Sequence, residues 1–175
     1  MKQILKPLVI LAVLCLTACA TISSAPQITC SPSHWGIVPF SNNTEVPQAG
    51  YRAMSITKGL LEARGVSNIR VYKSNESCNQ LIVCPNANPS INEILAWARR
   101  HDLKYVMTGT VNEWVYKVGL DGEPVVSLSL NLYDVAQGRS IWSTVGSRIG
   151  TTRSGLGTTG QNLIRKMLCT LKIAR

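Results

Sequence analysis

Between Tyr105 and Ile149 the chain alternates apolar and polar residues almost one for one. Val126, Leu128, Leu130 and Leu132 are spaced by Ser127, Ser129 and Asn131, and Tyr133 continues the polar parity. A period of two places successive side chains on opposite faces of a strand. Residues 105–118, 125–135 and 140–149 are therefore expected to form three strands, each with one buried and one open face. In the third, Ile141, Val145 and Ile149 are the expected inward residues, and Trp142, Thr144 and Arg148 the outward ones. The turns Gly119–Pro124 and Asp134–Arg139 are short, which predicts an antiparallel meander.

Upstream the period changes. Trp35–Phe40 predicts a buried strand closed by the turn-prone Ser41, Asn42 and Asn43. Ala53, Ile56, Leu60 and Leu61 form a helical stripe within 47–64, with Gly65 at the position of a C-terminal cap. Ile69–Tyr72 predicts a second brief strand, and 73–89 an irregular stretch. Ser90 and Glu93 form a capping-box pair that opens a helix ending near His101, with Ile91, Ile94, Leu95 and Ala98 inward and Trp97 on a flank. A last helix is expected over 161–171 on Ile164, Met167, Leu168 and Leu171. The order β-α-β-α-β-β-β-α is of the α/β (α+β) class: one mixed β-sheet with a C-terminal antiparallel meander, flanked by helices.

The first residues do not belong to that domain. Lys2 and Lys6 precede an apolar run, Leu8 to Leu16, of nine residues, far short of the ~20 needed to span a bilayer as a helix. Such a run is the core of a secretory signal. It ends in Leu16-Thr17-Ala18-Cys19, which resembles a bacterial lipobox with Cys19 as the lipid acceptor. Cys15 does not fit, because Leu14 is too large for the cleavage position. Residues 1–18 are then a removed lipoprotein signal peptide, 19–33 a lipidated cysteine and tether, and 34–175 a single globular domain. Ala20 stands where a retention signal would place Asp, which points to the periplasmic face of an outer membrane. Loss of Lys2 and Lys6 lowers the net charge from +9 to +7.

Four cysteines remain in this oxidising setting. The expected pairing is Cys78–Cys84 as a local staple and Cys30–Cys169 as a clamp between the ends, with free buried thiols as the alternative. The spacing between Cys78 and Cys84 is neither a redox motif nor a zinc knuckle.

Little in the chain supports catalysis. Gly155, Gly157 and Gly160 spell GxGxxG, but no strand and no acidic residue follow, so the motif reads as a flexible turn into a helix and no cofactor is expected. His34 and His101 have no triad partners, and no metal is expected. The basic residues are scattered apart from Arg99, Arg100 and Lys104, so nucleic acid is not an expected partner, and anionic lipid head groups are a better one. Trp114, Tyr116, Tyr133 and Trp142 lie on the meander. They are read either as a lipid-interface set, with Trp142 the preferred member, or as a second packing layer. Asp121 and Glu123 place two of the nine acids in one turn.

The lipobox, WGIVPFSNNTEVPQAG (35–50), LAWARRHDLKYVMTGTVNEW (95–114), VYKVGLDGEPVVSLSLNLYDVAQGRSIWS (115–143) and the closing helix together resemble the PelC family, outer-membrane lipoproteins of Pel exopolysaccharide export. The resemblance implies a fold like the TolB N-terminal and curli-secretion lipoprotein type. It further implies a non-enzymatic dodecameric ring on the inner leaflet of the outer membrane, with an electronegative funnel leading a cationic polysaccharide to a PelB-like porin. Carried onto this chain, the funnel acid falls on Asp121, with Glu123 added from its position, and the membrane-belt tryptophan falls on Trp142. A mature charge of +7 departs from this picture unless the acids are segregated from the bases. The rival expectation is an envelope lipoprotein that docks and activates or scaffolds a periplasmic cell-wall enzyme.

Overall fold

A computed structural model describes residues 20–73, 89–117 and 122–174. Strands β1 (Ala20–Ser24), β3 (Trp35–Ile37), β4 (Ser41–Asn42), β5 (Arg70–Val71), β6 (Tyr105–Tyr116), β7 (Pro124–Asp134) and β8 (Arg139–Ile149) form one mixed sheet in the order β1-β8-β7-β6-β3-β5, with β4 also paired to β6. A parallel pair, β2 (Ile28–Cys30) with β9 (Leu171–Ile173), closes the molecule beside it. The helices are α1 (Ala49–Glu62), α2 (Ile91–Arg100) and α3 (Leu156–Met167). The fold class is as expected: a mixed sheet with a C-terminal antiparallel meander and flanking helices.

Helices α1 and α3 cover one face of the sheet. Against them Met107, Val111, Trp114, Leu128, Leu130, Leu132 and Trp142 build the main core with Leu61, Leu163, Ile164 and Met167. Burial of each Leu-sized side chain stabilises the fold by ~1.5–3 kcal/mol. Helix α2 covers only a corner of the opposite face, where Trp97, Leu95 and Ile94 meet Val38, Val106 and Val135. Trp97 is thus a buried anchor of a second core and not a flank residue, and its ring meets Tyr72 edge-on at 5.2 Å.

The helix ends follow their sequence signals. Gly65 has φ 98°, and the Gly65 and Val66 N–H groups donate to the Glu62 and Leu61 carbonyls at 2.9 and 3.1 Å. These are the two bonds of a Schellman ending, which a left-handed residue makes possible. At the start of α2 the Ser90 hydroxyl accepts from the Glu93 N–H, while the Glu93 carboxylate accepts from the Ser90 N–H at 2.7 Å.

Three expectations are corrected. The segment read as a tether is folded: β1 pairs with β8 from Ala20↔Arg148 to Ser24↔Thr144, and Cys30 in β2 is buried. The last helix begins at Leu156, so Gly157 and Gly160 lie inside it. Gly160 is there for close approach, since a Cβ at that position would sit 2.5 Å from the Trp114 ring. Finally, β8 has the period expected but the opposite phase. Ile141 is the extra residue of a bulge between the Leu132↔Trp142 and Tyr133↔Ser140 pairs. Trp142, Thr144 and Gly146 consequently face the helices, while Val145 and Ile149 face out. Gly146 lets α3 approach, because a Cβ there would lie about 3 Å from Leu163 and Met167.

The rest of the second face is uncovered. In register across it lie Ser127↔Ser147, Ser129↔Val145 and Asn131↔Ser143.

Candidate functional site

The β6–β7 hairpin and the start of β1 meet at one end of the sheet. Tyr116 pairs with Pro124, Val125 pairs with both Val115 and Ile149, and Arg148 lies between Val126 and Ala20. The chain enters β1 at Ala20, so the residue after Cys19 is already hydrogen-bonded into the sheet at this end. Cys19 itself lies outside the described residues.

Three of the nine acids, Glu113, Asp121 and Glu123, belong to this hairpin. Glu123 is half-buried, and its carbonyl oxygen accepts the Lys117 N–H at 2.8 Å. Asp121 lies outside the described residues. At the opposite end of the sheet Arg70, Arg99, Arg100, Lys104 and Arg139 gather around the α2–β6 and β7–β8 turns. Charge is mixed at both ends: Lys117 and Arg148 accompany the hairpin acids, and Asp102 and Asp134 lie among the bases of the opposite end, where the bases are in excess.

The four meander aromatics are not brought together. Trp142 is 1% exposed, and its indole N–H donates to the Thr170 hydroxyl at 2.9 Å. Trp114 is buried against Gly160. Tyr133 is half-buried against the second core, far along β7 from the hairpin. The expectation of a lipid-facing Trp142, and of Trp114 and Tyr133 beside it, is therefore corrected for this protomer. The β8 bulge turns Trp142 inward, and the glycine on α3 opens a slot for Trp114. Tyr116 alone stays on the surface, 46% exposed. Its hydroxyl accepts the Leu156 N–H at 3.2 Å, standing in for the side-chain cap that Gly155 cannot supply. Sequence reading missed Tyr51, half-exposed in the first turn of α1; the helical stripe draws attention only to inward positions.

Cys30 and Cys169 are free thiols, one buried and one exposed, which corrects the expected clamp between them. In β2, Cys30 pairs with Ile173 and not with Cys169. Burial pushes the Cys30 thiol pKa up, although a hydrogen bond with Tyr105 opposes this. Cys78 and Cys84 lie outside the described residues. Among the described residues no group of three or more His, Cys, Asp or Glu side chains could hold a metal ion, and no described helix is long and apolar enough to cross a membrane.

No family model and no curated protein matched the chain in sequence comparison. Comparison of structures is decisive. The PelC dodecamer from Paraburkholderia phytofirmans is 33% identical, with a TM-score of 0.76 over 90% of this chain and 100% of that one. This chain belongs to the PelC family. The L103M form of the same PelC dodecamer matches at 33% identity and TM-score 0.73 over 87% and 97% of the two chains. Lipoprotein GNA1162 from Neisseria meningitidis shares the fold at 20% identity and TM-score 0.51, over 75% of this PelC-family chain and 92% of its own.

Proposed function

We propose that this PelC-family chain is a lipid-anchored subunit of a ring at the periplasmic face of the outer membrane, which guides a cationic exopolysaccharide toward a PelB-like porin. The reading makes the protein a passage and not an enzyme. What supports it is that Ala20, next in sequence to Cys19, and the strands bearing Glu113 and leading from Glu123 meet at one end of the sheet. Ala20 is paired with Arg148, and Asp121 lies in sequence between the two hairpin strands that end there. Membership of a family whose relatives are dodecamers supports the ring.

Symmetry gives so few carboxylates their weight. One acid per subunit, repeated around an axis, becomes a closed belt of negative charge that concentrates a polycation and steers it inward. The inner leaflet lies against the hairpin end, because the fold begins one residue after the lipid. Tyr116, with its half-exposed ring and hydrogen-bonded hydroxyl, suits the boundary between lipid and water. Lys117 and Arg148 suit anionic head groups. This replaces Trp142 as the membrane contact.

The test is Asp121→Ala in cells. Polymer secretion should fall severalfold while ring assembly and outer-membrane location stay as in the parent. Unchanged secretion by that variant would reject an electrostatic guide.

A further inference from the structure

The open face of the sheet is unlike the rest of the surface. From β1 across β8 and β7 to β6 it presents small hydroxyl, amide and aliphatic side chains, of which Ser129, Asn131, Ser143 and Val145 form the centre. Within strands β1, β8, β7 and β6 the single charged side chain on this parity is Glu113, at the bulge on its border, and Lys117 and Glu123 follow beyond the strand ends at the hairpin. Toward the hairpin end it continues into Val115 and Ile149. These two and Val145 are 38–48% exposed, and they are three of the six large exposed hydrophobics of the described chain. A solvated sheet face ordinarily carries Lys, Glu and Arg, since about a quarter to a third of a soluble surface is charged. Depletion of charge around an aliphatic centre is the composition of a protein–protein interface core.

We infer that this open face is the surface through which each subunit packs against a second copy of the chain. The inference rests on the ring reading above and names the face that makes the ring. The opposite surface of the molecule is its complement: the outer side of α1 and α3 carries Arg52, Lys58, Arg165 and Lys166 against the single acid Glu62. Two such basic surfaces repel one another. A closed ring is assembled head to tail, with two different patches meeting at every contact. In that arrangement the basic helices of one copy meet the hydroxyls, amide and border carboxylate of the next. A carbohydrate occupant fits the face less well, because the centre offers neither an aromatic ring for stacking nor a carboxylate for an amino sugar.

The experiment uses the full lipidated protein in detergent, with mass measured under native conditions. Val145 faces solvent in the isolated protomer, so Val145→Arg should shift the melting temperature by less than ~3 °C, as a surface change does. Buried between two copies, the same guanidinium is unpaired and faces a basic partner. The expected result is complete loss of the ring at concentrations where the parent is fully assembled. Ser129→Arg should do the same and serves if Val145→Arg does not fold. An intact ring with both arginines overturns the inference while leaving the ring reading standing, and loss of binding to a soluble amino-sugar oligomer in those intact rings would assign the face to polymer. A parent protein that is itself monomeric rejects the ring reading, and this inference with it.

Discussion

The indole of Trp142 shows how a single side chain sets the facing of a strand. On alternation alone Ile141, Val145 and Ile149 have the better claim to the core. The largest apolar residue of β8 nevertheless takes the inward place, because burying it removes more surface from water and Thr170 satisfies its N–H. Trp142→Ala should therefore cost ~3–5 kcal/mol of stability, the range for a large aromatic removed from a core. Thermal and urea unfolding of the purified domain would measure it. A variant that melts like the parent but no longer partitions to lipid would return Trp142 to the membrane. Residue-level chemistry was thus only half legible. Asp121 and Glu123 stand out in the sequence because two acids share one turn, whereas Glu113 in β6 does not. The aromatics could not be placed, because a one-residue bulge and a glycine on a distant helix decide which way they point.

At the scale of elements the legible parts are those whose signal is local. Strand β7 alternates without interruption and was placed in the correct phase. The capping box of Ser90 and Glu93 and the glycine ending of α1 are each written within six residues. Strands β1 and β2 have no such signal: Ile22 is the one large apolar residue in Ala20–Ser24, and it packs because β8 supplies the partner. Helix α3 was expected to start five residues late, since the glycines inside it argue against a helix until Trp114 is seen to need one of them. The cap of α2 carries a pH signature. Hydrogen bonds from the Ser90 backbone and hydroxyl hold the Glu93 carboxyl below its ordinary value of 4.5. A depressed folded-state pKa contributes stability that is present above the unfolded value and lost as pH falls through the folded one. Glu93→Gln should thus be less stable than the parent at neutral pH. The gap should close as pH falls below about 4.5, read from melting temperatures across pH 3–7.

For the whole molecule, the proposed orientation puts the hairpin end at the lipid, on the position of Ala20 and not on the balance of charge. The hairpin end carries Lys117 and Arg148, and the far end carries the Arg99 and Arg100 cluster. A basic residue close to an anionic membrane contributes ~1 kcal/mol, roughly fivefold in affinity. The unlipidated domain, residues 20–175, should bind anionic vesicles weakly, and Lys117→Gln should weaken that binding about fivefold, whereas Arg100→Gln should leave it unchanged. Vesicle sedimentation at low salt separates the two, and the reverse ranking would turn the molecule over.

Strand β1 has a mechanical consequence. In the proposed function, with Cys19 acylated, a pull from a moving polymer would be resisted through the first residues of an antiparallel ladder. Tension along that strand loads its hydrogen bonds to β8 side by side, in shear, so no single bond opens ahead of the others. Five residues joined in this way, Ala20 to Ser24, would on that reading rivet the meander to the bilayer, once per subunit.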